Sequence, residues 1–278
     1  MNYTEKFVAY VDILGFKELV RRSEEGGEGA PTLDYVLQLT RLFGSVNDED
    51  FAKYGPTTCP CAPCIARDLN FRLTQASDGV VISSEISPAG LINLVAHCYK
   101  TMVRFLEVGH LCRGYLTRGN LAHEGVNFIG TGFHRAFENE KSVSTFQIDL
   151  SDKGTPFIEI DPAVCGYVSE QTDSCVKTIF GRLTESDGQS TAITPFYFFR
   201  MMPSMPLDNP VAYKEQVRFV CDVVLRLLAR LEEAEATAPA AGRRKIEHHK
   251  RKLREVLALK DKQLEAMDGL SQPFPRRW

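Results

Sequence analysis

Ten residues near the start of the chain, Phe7-Val8-Ala9-Tyr10-Val11-Asp12-Ile13-Leu14-Gly15-Phe16, form an apolar β-type run interrupted by one aspartate. The run Ser77-Asp78-Gly79-Val80-Val81-Ile82-Ser83 repeats that arrangement. A carboxylate within a buried strand is costly unless a cation or hydrogen bonds offset its desolvation. Two such aspartates, on runs able to pair, fit a divalent-metal site at the centre of a sheet. Gly15 adds a tight turn where a phosphate can approach the backbone closely. A local reading competes: Asp12 ends its strand and caps a helix beginning near Phe16, while Asp78 occupies a hairpin turn.

The pattern around these runs predicts one α+β domain. Phe7–Ile13 reads as a buried strand, followed by helices over 16–23 and 33–43, the second with Leu33, Val36, Leu37, Leu39 and Leu42 near helical period. Residues 44–68 read as an irregular insertion. Residues 69–76 and 80–84 form a hairpin around Asp78-Gly79, a strong turn signal. A long helix over 89–108, a second hairpin over 112–128, a short helix over 132–140 and strands at 157–160 and 195–201 complete the domain. This order implies one mixed or antiparallel sheet with helices packed against it, extending to about residue 205. Residues 206–278 read as a helical extension packed on that domain, with helices over 213–234 and 245–267 and an Ala/Pro-rich loop over 235–242.

The net charge of −3 argues against a general polyanion-binding surface, so no nucleic-acid partner is expected. The basic stretch Arg243–Lys252 lacks interleaved aromatics and reads as the solvated face of a helix. No apolar stretch is long enough to span a membrane, and no signal-peptide pattern precedes Phe7, so a cytoplasmic location is expected. Five of the eight cysteines are scattered among apolar neighbours. The other three, Cys59, Cys61 and Cys64, lie within six residues, but no nearby histidine or second C-x-x-C supplies a fourth zinc ligand. They read as part of a proline-stiffened surface insertion.

Taken in order, D-I-L-G-F at 12–16, S-D-G-V-V-I-S at 77–83, R-G-Y-L-T-R-G-N at 113–120 and G-T-G-F-H-R-A-F-E-N-E at 130–140 resemble a class III nucleotidyl cyclase catalytic domain. More narrowly, with I-D-P at 160–162, the set is similar to the pyrimidine cyclases of bacterial Pycsar anti-phage systems. The resemblance runs from about Phe7 to Pro162. It implies a ferredoxin-like sandwich and a homodimer with composite active sites. It also implies a substrate of UTP, or less favourably CTP, and a cyclic nucleotide product acting as a second messenger in anti-phage defence.

The resemblance assigns two divalent cations, Mn²⁺ or Mg²⁺, to Asp12 and Asp78, with the Ile13 carbonyl as a further ligand. Leu14, Gly15 and Phe16 provide the phosphate-facing turn. The positions at which purine cyclases read their base hold Thr74 and Asn127, which are short and uncharged, and this departure counts against ATP and GTP. The asparagine and arginine that stabilise the transition state in purine cyclases fall at His134 and Glu138, and glutamate cannot serve that role. Arg113, His134 and Arg135 are the remaining catalytic candidates, with Arg118 a further cationic one on the same strand as Arg113 and a structural ion pair the competing role for Arg113. A non-catalytic module that binds a nucleotide or a protein partner is the alternative to an active cyclase.

Overall fold

The computed structural model describes residues 2–48, 68–149, 151–201 and 209–270. They fall into two compact units, Met1–Pro195 and Phe196–Trp278. The first contains strands β1 (Thr4–Ile13), β2 (Arg72–Ala76), β3 (Gly79–Glu85), β4 (Cys112–Glu124), β5 (Asn127–Ile129), β6 (Ile158–Ile160), β7 (Thr184–Ser186) and β8 (Thr191–Ile193). Its helices are α1 (Phe16–Glu25), α2 (Leu33–Arg41), α3 (Pro88–Glu107), α4 (Thr131–Glu140), α5 (Pro162–Glu170) and α6 (Ser174–Leu183). The sheet runs β2-β3-β1-β4-β6-β8-β7, with β5 attached to β4. The β4–β6 pair is parallel and the other pairs are antiparallel. The expected α+β architecture with one mixed sheet is therefore present.

β1 lies between β3 and β4 and is buried almost throughout because it packs on both faces. Phe7, Ala9 and Val11 point to one face, and Val8, Tyr10 and Asp12 to the other, following the strand's period of two. On the second face, Val8, Tyr10, Val81, Leu121 and Ala136 form a cluster supported by Phe128 and Phe133. Ala136 and Phe133 belong to α4, so α4 covers the Asp12 face of its own chain's sheet. Tyr10 meets Phe133 and Phe137 edge-on, with ring centroids 6.2 and 5.2 Å away.

Several elements differ from the sequence reading. Residues 195–201 are not a strand: β8 ends at Ile193, and Pro195 has no N–H to extend a ladder. The chain forms a short helix instead, α7 (Tyr197–Arg200). α5 and α6 were not expected, although each has an aspartate cap: Asp161 accepts from the Ala163 N–H at 2.9 Å and Asp173 from the Cys175 N–H at 2.8 Å. In the β2–β3 hairpin, Ala76 pairs with Gly79, so the two loop residues are Ser77 and Asp78. Ser77 takes the left-handed conformation (φ 58°), and Gly79 opens β3. The cysteines at 59, 61 and 64 lie outside the described residues, as does most of the insertion expected over 44–68.

The second unit contains α7, α8 (Pro210–Thr237) and α9 (Ala240–Leu270). α8 and α9 pack through Tyr213, Val217 and Met267, with Cys221 and Leu264 alongside. The basic stretch expected to be a solvated face is partly internal. His248, His249 and Lys250 are buried, and Lys250 Nζ donates to Glu235 Oε2 at 2.6 Å. Among the described residues, no helix is long and apolar enough to cross a membrane.

Candidate active site

Asp12 is the penultimate residue of β1, opposite Gly79 on β3 and Arg113 on β4. The next residue ties the two acidic segments together, since the Ile13 N–H donates to the Asp78 carbonyl at 3.0 Å. The Leu14 N–H donates to the Leu111 carbonyl at 2.9 Å, which fixes the far side of the turn. Gly15 follows in the left-handed region (φ 78°), a conformation that disfavours a side chain, and its carbonyl accepts from the Glu18 and Leu19 N–H groups. The sharp exit from β1 therefore starts α1 immediately beside Asp12, and the first-turn N–H groups of Phe16 and Lys17 lie at the open helix end.

The electrostatics centre on Asp12. Its carboxyl pKa is pushed up to about 7, first by burial and then by the charges of Asp78 and Glu140, with Arg113 opposing. The Asp78 carboxyl is close enough to share a hydrogen bond with it. The Oδ1 atom of Asp12 is buried and has no hydrogen-bond partner. Burial raises the Tyr10 phenol pKa well above its ordinary value, and the charges of Asp12, Asp78 and Glu140 add to that effect. Two adjacent carboxylates with one buried, unsatisfied oxygen fit a hard divalent cation, which prefers oxygen ligands and completes its shell with water and substrate phosphate. Among the described residues, no group of three or more His, Cys, Asp or Glu side chains could hold a metal ion unaided.

Arg113 is also at this site, but its guanidinium is engaged elsewhere. Its Nε donates to Glu140 Oε1, and its Nη1 reaches the Gly154 carbonyl at 3.5 Å. Glu140, the last residue of α4, is 1% exposed. Glu140 carries no local sequence signal for this role, because its partner lies across the fold on β4.

The other candidates are not gathered around Asp12. His134 and Arg135 are exposed on the N-terminal half of α4. Arg135 Nη1 donates to the Arg118 carbonyl at 3.3 Å. Arg118 is five residues beyond Arg113 on β4, or about 17 Å along a strand. Asn127 is exposed at the start of β5.

Thr74 is buried, and its hydroxyl donates to the Gly125 carbonyl at 2.9 Å. That uses its single proton, so the 2.9 Å contact with His123 Nε2 requires the histidine to donate there. Nδ1 is then bare and accepts from the Ser83 hydroxyl at 2.8 Å. Burial lowers the His123 pKa to about 4, which keeps this network neutral. In the sequence His123 carries no local signal for this role, because its partners lie on other strands.

No protein-family model and no curated protein matches the chain. Among solved structures, one match is a class III adenylyl cyclase-like ATP-binding protein from Pseudomonas aeruginosa, with 13% identity and a TM-score of 0.38. That match covers 64% of this chain but 41% of the other, so this chain spans less than half of the protein it matches. A likeness at that distance transfers neither residue roles nor activity.

Proposed function

We propose that the chain is a pyrimidine nucleotide cyclase, converting UTP, or less favourably CTP, to the 3′,5′-cyclic monophosphate and pyrophosphate. In this reading the product is a second messenger in anti-phage defence. The observation that carries the proposal is the buried, unpartnered Asp12 Oδ1 beside Asp78, at the mouth of the Gly15 turn. The ordered motifs shared with pyrimidine cyclases supply the reaction class.

Asp12 and Asp78 would hold two divalent cations, Mg²⁺ or Mn²⁺, together with the Ile13 carbonyl. When bound, those cations neutralise the triphosphate and acidify the attacking hydroxyl. The substrate's 3′-oxygen forms a bond to the α-phosphorus, the bond from that phosphorus to the bridging β-phosphate oxygen breaks, and pyrophosphate leaves. The hydroxyl proton passes to solvent. The Phe16 and Lys17 N–H groups at the start of α1 face the phosphates, where the helix dipole favours negative charge. Thr74 is committed to His123 and Gly125, and neither it nor Asn127 offers the charge with which a purine cyclase reads its base. That supports a pyrimidine substrate.

The cation that stabilises the transition state would come from a second copy of the chain. In its own chain Arg135 is tied to the middle of β4, while Arg113 is held by Glu140. A homodimer that brings His134 and Arg135 of one protomer to Asp12 of its partner supplies the missing charge. Incubation with each of ATP, GTP, CTP and UTP in Mn²⁺, with the products identified by mass spectrometry, tests the reading. Cyclic UMP or CMP is expected. A cyclic purine product overturns the substrate assignment, and triphosphate binding without turnover assigns the chain to the non-catalytic alternative.

A further inference from the structure

Asp12 and Arg113 are direct cross-strand partners on the same face of an antiparallel pair. Opposite charges so placed ordinarily pair, because their Cβ atoms lie about 5 Å apart. Here they do not, and the buried Oδ1 of Asp12 is left without a partner. The guanidinium turns to Glu140, and the Gly154 carbonyl takes a second contact. Gly154 has room for the arginine only because it lacks a side chain: a Cβ there would stand 2.2 Å from Arg113 Nη1. Glu140 is buried against the sheet at the end of α4, which fixes its position.

We propose that Glu140 is a positioning residue whose task is to hold Arg113 away from Asp12, keeping the Asp12 carboxylate open for a divalent cation. The inference rests on the metal-site reading given above. An arginine free to reach Asp12 would form a charge-assisted, bidentate pair and compete with the cation for the same oxygens. With Glu140 in place, the charges of Asp78 and Glu140 both act on Asp12 against that of Arg113. The site keeps an excess of negative charge that a divalent cation satisfies.

The test is Mn²⁺ binding by the full chain without nucleotide, followed by the electron paramagnetic resonance signal of free Mn²⁺. Folding of each variant is checked by near-ultraviolet circular dichroism. Glu140→Gln keeps the shape but removes the charge that anchors the guanidinium, leaving a weaker neutral acceptor, and Mn²⁺ affinity should fall at least about tenfold, equivalent to about 1.4 kcal/mol. The double variant Arg113→Met/Glu140→Gln removes the competitor as well, and affinity should return to within about threefold of the unaltered protein. A merely structural ion pair would lower stability in Glu140→Gln while leaving Mn²⁺ affinity unchanged, and that result overturns the proposal. Arg113→Met alone should bind Mn²⁺ at least as tightly as the unaltered protein. A tenfold loss there overturns the proposal even if Glu140→Gln does not fold. If the unaltered protein binds no Mn²⁺, the metal-site reading falls and takes this inference with it. Binding that is insensitive to Glu140→Gln removes this inference alone.

Discussion

A methyl group on Gly79 would come within 2.4 Å of the Tyr10 hydroxyl oxygen and 2.7 Å of two ring carbons. Tyr10 cannot easily retreat, because Phe133 and Phe137 pack against its ring. Gly79→Ala should therefore destabilise the protein by about 1–3 kcal/mol through overpacking. Gly166 in α5 and Gly181 in α6 have open space where a Cβ would lie, and alanine there should stabilise by about 0.5–1 kcal/mol each. Urea unfolding of the three variants checks both signs. A neutral Gly79→Ala would show that Tyr10 is not pinned.

Asp12 should make the metal-free protein less stable as pH rises. Its folded pKa, about 7, lies above the ordinary 3.8, so folding favours the protonated form. The penalty is absent below about pH 4, grows through the interval and is complete above about pH 7. Asp12→Asn should thus melt higher than the unaltered protein at pH 8 in EDTA, by about 1–2 kcal/mol after allowance for solvent screening. The two should converge at pH 4. A constant difference across that range would mean that Asp12 is not the titrating group.

His123 gives the opposite slope. Its folded pKa, about 4, lies below the ordinary 6.5, so its contribution is fully present above pH 6.5 and is lost as pH falls toward 4. Ser83→Ala leaves the bare Nδ1 without its donor and should cost about 1–3 kcal/mol at neutral pH. Thermal melts of Ser83→Ala and His123→Gln between pH 4 and 8 check this. The loss of stability on acidification should be shallower for His123→Gln.

Asp12→Ala and Asp78→Ala should each abolish cyclic nucleotide formation while the protein stays folded, as removing one of two mutually repelling carboxylates should not cost stability. A large drop in melting temperature would assign the lost carboxylate a structural role instead; for Asp12 that role is not helix capping, since α1 is capped by Gly15 with no side-chain bond. Mixing Asp78→Ala protomers with protomers carrying His134→Ala and Arg135→Ala, once the latter are shown to be inactive, should restore turnover in mixed dimers. Confirmed subunit exchange without recovery would exclude a shared site.

The elements that could be read from the sequence are those whose signal is local. The apolar run at Phe7–Ile13, the existence of the hairpin over 69–84 and the period of α3 depend on neighbouring residues alone, although the hairpin's turn falls on Ser77-Asp78 rather than Asp78-Gly79. The aromatic 195–201 segment looked like a strand, but a proline at its head and the end of the sheet at Ile193 decided otherwise. α5 and α6 are short, and their capping aspartates were the legible signal. Asp12 and Asp78 stood out because a carboxylate is conspicuous among valines and isoleucines. Glu140 and His123 did not, since their roles depend on partners 27 and 49 residues away.

The 3.0 Å bond from the Ile13 N–H to the Asp78 carbonyl has a consequence for motion. The spacing between the two acidic positions is set by main chain, at the end of the β1–β3 ladder just past the Asp12–Gly79 pair, so it behaves as a fixed gauge. Rotation of side chains cannot widen it without parting the last rung of β1 from the β2–β3 hairpin. Any opening and closing during a working cycle must therefore come from whatever approaches the gauge from outside: the incoming ligand, the start of α1 or a second copy of the chain.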